Sequence, residues 1–130
     1  MIERVNPPEL AAPSGFSHAV RVGGGTPVHL AGQTGMDAAG RIVGGGIVAQ
    51  FEQALANLLA ALRAAGGTPA DLARVTIYIV DVPAYKANAH EIGAVWRRLA
   101  GRDYPAMAGI GVARLWDDDA LVEIDGVAYV

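Results

Sequence analysis

The order of apolar and polar positions divides this chain into stretches of two different periods. Residues 16–22, FSHAVRV, alternate and stop at a glycine run, and after Thr26 and Pro27 the alternation resumes in PVHLAG, residues 27–32. Period two marks a strand with one covered face, and the glycine-rich joint predicts that the two strands pair as a hairpin. His18 and His29 would then be cross-strand neighbours with a packing or hydrogen-bonding role. The polar stretch GQTGMDAAGRIVGGG that follows predicts a loop. From Ile47 the period changes. Ile47, Phe51, Leu55, Leu58 and Leu62 share one helical face, and Gln50, Glu52, Gln53, Asn57 and Arg63 lie away from it. Gly66 and Gly67 supply the left-handed stop before Thr68 and Pro69.

Residues 72–80, LARVTIYIV, are rich in β-branched side chains and predict a strand. Asp81 as N-cap and Pro83 in the first turn then open a second helix. Its apolar stripe is Tyr85, Ile92, Val95, Trp96 and Leu99, and Gly101 ends it. Two further strands, in AGIGVARL and ALVEIDGVAYV, flank the turn WDDD. This succession predicts an α+β fold, a mixed β-sheet with two helices packed on one face. The other face then needs a partner, which copies of the chain arranged about a symmetry axis supply.

A length of 130 residues sets the expectation of a single domain over 1–130. With 52% hydrophobic and 18% charged residues, the chain suits a compact protein whose apolar surface is partly covered by another subunit. The net charge of -3, with ten Lys and Arg scattered along the chain, argues against a nucleic-acid partner. Cysteine is absent, which removes disulfides, thiolate metal sites and a cysteine nucleophile. His18, His29 and His90 have no metal-ligand spacing, so no metal and no cofactor is expected. The apolar runs are too short to span a bilayer and residues 1–10 have no signal-like apolar core; the expectation is a cytoplasmic protein without a membrane partner. No G-x-S-x-G supports a serine hydrolase, the glycine runs lack the Lys-Ser/Thr of a phosphate loop, and Asp117, Asp118 and Asp119 form a solvated turn.

Two places carry candidate chemistry. In LVEIDGVAY the period of two puts Val122, Ile124 and Ala128 on one face and Glu123, Asp125, Val127 and Tyr129 on the other. Glu123 and Asp125 therefore point the same way, about 7 Å apart along the strand. The pair is either a solvated surface feature or, if enclosed between subunits, a source of a general acid or base. In YPAMAGIG, residues 104–111, Met107 is either a core plug or a pocket residue, and its small neighbours Ala106, Ala108, Gly109 and Gly111 allow something to approach the backbone closely.

The segments FSHAVRVGG, HLAGQTGMD, GGGIVAQFEQALANLLAALRAAGG, DLARVTIYIVDV, YPAMAGIGVARL and ALVEIDGVA together resemble the reactive-intermediate deaminase family of enamine and imine deaminases, also known as L-PSP endoribonuclease-like proteins. The G-Q loop, the A-Q-x-x-Q-A-x-x-N-L helix and the V-E-I ending carry the resemblance over nearly the whole chain. It implies a chorismate-mutase-like subunit and a homotrimer with small-molecule ligand pockets between subunits. It also implies that Glu123 positions the hydrolytic water and that the backbone at Gly109 and Ile110 contacts the ligand, while Gly32 and Gln33 match the G-Q loop.

At four positions this chain departs from that pattern. Deaminating members have Pro-Ala-Arg where Pro105, Ala106 and Met107 stand, and that Arg pairs with the substrate carboxylate. Tyr, Ser and Asn are replaced by Phe16, Ala31 and Ala89. A thioether offers no planar fork of donors, so the resemblance implies an apolar cleft shaped by Phe16, Ala31, Met107 and Trp116. Its acid is Glu123, Asp125 is an accessory, and Arg114 or Arg21 is a candidate replacement cation. The expected function is hydrolysis or processing of a reactive imine or enamine that lacks an amino-acid carboxylate. The alternative is a non-catalytic small-molecule-binding or regulatory trimer; RNA cleavage, a third possibility, fits the acidic balance poorly.

Overall fold

Ile47, Phe51, Leu55, Leu58 and Leu62 are all buried along one side of helix α1, Gly46–Ala64. The helix stops where Gly66 takes φ 90°, a conformation that a Cβ disfavours. The computed structural model describes residues 1–130. The strands are β1 (Ile2–Val5), β2 (Ala19–Val22), β3 (Pro27–Thr34), β4 (Leu72–Ile79), β5 (Ala106–Gly111) and β6 (Val122–Tyr129); α2 (Val82–Ala87) and α3 (Ala89–Ala100) lie between β4 and β5.

The main sheet has the order β3-β6-β4-β5. β6 runs antiparallel to both β3 and β4, and β4 runs parallel to β5, with α2 and α3 forming the crossover that a parallel pair requires. Leu30, Leu72, Val75, Ile77, Ile79, Val122, Ile124 and Ala128 point to the helix side and join the stripes of α1 and α3 in one core. The fold is therefore a mixed α+β arrangement with its helices on one face of the sheet. None of those helices is long and apolar enough to cross a membrane.

Three expectations are corrected. First, residues 16–22 and 27–32 do not pair. β2 pairs with β1 at the N-terminus, Ile2 opposite Val22 and Val5 opposite Ala19, while β3 pairs with β6 and continues past a bulge to Thr34. His18 and His29 are consequently not neighbours: His18 Nε2 is 2.7 Å from the Ala11 carbonyl oxygen, and His29 stands opposite Val127. Alternation marks a strand but does not name its partner. Second, the helix expected after Asp81 is two helices. Asp81 caps it as expected, accepting from the Ala84 N–H at 3.0 Å, but Asn88 interrupts it and donates through Nδ2 to the Ala84 carbonyl at 2.8 Å. The helices thus number three instead of two. Third, Gln50, expected to lie away from the apolar face of α1, is buried. Its side chain donates to the Asp119 carbonyl at 3.0 Å and accepts from the Leu121 N–H at 2.8 Å, which clamps the turn before β6. Asn57, away from the apolar face as expected, donates to the carbonyls of Thr34 and Met36 and so holds the end of β3.

Leu58 is fully buried at the centre of this core. Leu58→Ala should lower unfolding stability by about 2–5 kcal/mol, read as a shift in the midpoint of denaturant unfolding; an unshifted midpoint would mean that this face of α1 is not packed.

Candidate functional site

Register decides on which side of the sheet each residue of β5 lies. Met107 stands beside Val75, and Val75 is in the core, so Met107 faces the helices. Nothing fills the space in front of it completely. A cavity of about 650 Å³ remains between β5, α2, α3 and the segment Pro13–Gly15. Phe51, Ile77, Trp96 and Met107 give it an apolar wall, while Arg97, Arg102 and His90 also line it and no carboxylate does. The segment over the cavity is tethered by Ser17, whose N–H donates to the Pro105 carbonyl at 2.9 Å and whose hydroxyl donates to the Tyr104 carbonyl at 2.7 Å. Tyr104 stacks on Trp96 with ring centroids 6.3 Å apart, and Tyr85 meets Phe51 edge-on at 6.2 Å. Burial pushes the Tyr85 phenol up to about 12, because a phenolate in this wall would lose its hydration.

The opposite face of the sheet has a different character. Thr76 stands opposite Asp125 and Tyr78 opposite Glu123, so the two carboxylates and the phenol share the face that no helix covers. Tyr78 donates to Asp125 Oδ2 at 3.1 Å. That bond, followed by the charge of Asp125, holds the phenol above its ordinary range. Glu123 has neither a salt bridge nor a side-chain hydrogen bond, and its carboxylate lies against Gly32 at the bulge of β3. A Cβ at position 32 would come within 2.9 Å of Glu123 Cδ and nearer still to Oε2, so only glycine leaves the carboxylate its place.

The sequence-derived site residues thus fall into separate groups. Met107 lines the cavity. Gly109, beside Ile77, is on the same side of β5 as Met107. Glu123, Asp125 and Ile110 are on the other face, with Ile110 44% exposed and level with Tyr78. Ala31 is exposed at the β3 bulge beside Gly32. Phe16 packs edge-on against His18, with centroids 5.1 Å apart, just beyond the segment over the cavity. Trp116 is 91% exposed in the β5–β6 connection, where it lines a separate depression with Arg114 and Leu115. Neither expected replacement cation lines the cavity: Arg21 pairs with Glu3 on the β1–β2 ribbon, and Arg114 pairs with Asp118. Arg97 and Arg102 were not anticipated as site residues. The available signal was Arg97 in the last turn of α3, one turn after Gly93, with Arg102 just beyond the helix end. The side chains assemble no group of three or more His, Asp and Glu residues that could hold a metal ion.

The family model described as Endoribonuclease L-PSP matches residues 7–130. The chain belongs to this family, the reactive-intermediate deaminases. A RutC family protein of Pyrococcus horikoshii is 34% identical over 125 residues, covering 95% of this chain and 92% of the relative. The 2-iminobutanoate/2-iminopropanoate deaminase of Capra hircus is 33% identical over 119 residues, 91% of this chain and 82% of the relative. Among solved structures, a protein of unknown function of the conserved Rid family from Yersinia pestis superposes with a TM-score of 0.88 at 40% identity, covering 99% of this chain and 98% of that one.

In this deaminase-family chain the two faces of the site can be tested separately. Gly32→Ala should displace the Glu123 carboxylate while the rest of the sheet keeps its register; a crystal structure of the variant with Glu123 unmoved would contradict the close approach described here. Folding holds the Tyr85 phenol protonated, whereas an unfolded chain releases that proton near 10. The native state therefore binds more protons between the two values, and stability falls as pH rises from 10 towards 12, by at most about 1.4 kcal/mol per pH unit. Tyr85→Phe should flatten this part of the stability profile, measured by urea unfolding on both sides of the window; an unchanged slope would place the phenol in solvent.

Proposed function

We propose that this protein hydrolyses a reactive imine or enamine that lacks an amino-acid carboxylate, in a cleft formed between subunits of a chorismate-mutase-like trimer. The observation that carries the reading is the Glu123 carboxylate, unpaired and lying against Gly32 on the uncovered sheet face. A carboxylate free of cations and of donor side chains can accept a proton from water. As water adds to the carbon of R₂C=NH, Glu123 takes one of its protons and returns it to nitrogen; the resulting aminoalcohol loses ammonia and leaves R₂C=O. Placement of the water and one proton acceptor suffices for this addition. Family membership and the name of the goat relative support the same reaction class.

The assembly is part of the proposal for a geometric reason. Met107 and Glu123 lie on opposite faces of one sheet, with β4 between their strands. A cleft containing both needs the Glu123 face of one copy to close over the Met107 side of the next. That face is suited to contact, since Tyr78, Val127 and Tyr129 share it with the acids. Met107 also specifies what the substrate lacks, because β5 presents a thioether where a guanidinium would grip a carboxylate next to the C=N bond. The same substitution favours the second reading, a trimer that binds a small molecule without turning it over.

The readings separate by ammonia release from imines generated in solution, with and without an adjacent carboxylate. Native protein should accelerate hydrolysis of the imines without an adjacent carboxylate, and Glu123→Gln should lower kcat/KM by about 10²-fold or more. Binding without acceleration by the native protein would support the non-catalytic trimer, and equal rates for native and variant would remove Glu123 from the reaction.

A further inference from the structure

The cavity in front of Met107 presents a thioether from its β5 wall, and its lining is more basic than acidic. Arg97 and Arg102 both line it, His90 joins them, and no Asp or Glu does. Neither arginine is in a salt bridge, although Arg98, between them in sequence, pairs with Glu52 outside the cavity. The position of Arg97 is built into α3. A Cβ at Gly93 would come within 3.1 Å of Arg97 Nη1, so the absent side chain one turn earlier leaves room for the guanidinium along the cavity wall. Next to it in sequence is Trp96, 5% exposed, whose indole N–H is buried without an acceptor. That unmet donor is costly, but it is covered by the protein, so the ligand's polar contacts fall to the two arginines. The remaining wall, Phe51, Ile77 and Met107, is apolar.

We infer that Arg97 and Arg102 form a carboxylate-binding pair on the α3 side of this cavity, and that the ligand is an organic acid with an apolar body lying along Met107 and Ile77. This inference rests on the reading of the cavity as the ligand-binding half of the cleft, and it narrows the substrate class. The acid group is carried away from the reacting C=N bond instead of next to it, because its partners stand on α3 and the connection after it, not on β5. Guanidinium groups are suited to the task, since their planar forks match a carboxylate and are weakly hydrated.

The test is binding to the intact native protein of 4-phenylbutanoate and of its amide, which has the same shape and no charge, followed by calorimetry. Native protein should bind the acid about tenfold more tightly than the amide. In the Arg97→Gln/Arg102→Gln variant the two affinities should agree to within about twofold, while Arg63→Gln, at the exposed end of α1, should keep the native preference. Circular dichroism and the melting temperature establish that each variant is folded, and the single variants Arg97→Gln and Arg102→Gln should each give an intermediate preference if the double variant is not. Equal binding of acid and amide by native protein, no binding of either, or a preference that survives in the double variant would each overturn the inference. Because Glu123 is not part of this pair, Glu123→Gln should keep the preference for the acid even where ammonia release is lost. A preference found in a protein that never releases ammonia would end the hydrolysis reading and leave the arginine pair standing.

Discussion

The alternation of β6 is the constraint on which this structure depends. Val122, Ile124, Gly126 and Ala128 are buried against the helices, and Glu123, Asp125, Val127 and Tyr129 are half-buried on the other side. β6 pairs with both β3 and β4, so its phase sets theirs. A slip of one residue would carry two carboxylates into a core built on Leu55, Leu58 and Leu62 and expel three apolar side chains from it. Burial against α1 thus fixes where Glu123 points, although α1 and Glu123 are on opposite faces of the sheet.

The same phase divides the chemistry. The uncovered face holds a carboxylate kept in place by the absence of a side chain at Gly32, together with a phenol already engaged by Asp125. The helix face holds an apolar cavity with a basic lining. An acid and cations in contact would neutralise each other; separated by the sheet, they do not pair. The segment Pro13–Gly15, tethered through Ser17 to the chain before β5, closes part of the cavity, so the N-terminal ribbon contributes to the site without contributing a titrating group.

Much of this was legible in the residues. The α1 stripe, the β-branched run of β4, the Asp81 cap and the two-faced ending of β6 are local patterns, and each formed where its period placed it. Family membership followed from the order of the motifs and is shown by the match over residues 7–130. What was misread has a common cause. The partner of β2, the burial of Gln50 and the surroundings of His18 all depend on what packs against the residue from far along the chain. Gln50 is polar, and only the backbone groups of Asp119 and Leu121, brought beside it by the fold, explain its burial.

By itself the sequence determined the elements, the inward and outward sets of β6 and the thioether at position 107, because each is written in the period or identity of adjacent residues. The tertiary structure alone decided that Met107 and Glu123 occupy opposite faces, that Arg21 and Arg114 are engaged elsewhere, and that Arg97 and Arg102 line the cavity beside Met107. The physical reason is that a cation's reach is set by where its helix is docked against the sheet, which the spacing of the chain does not encode.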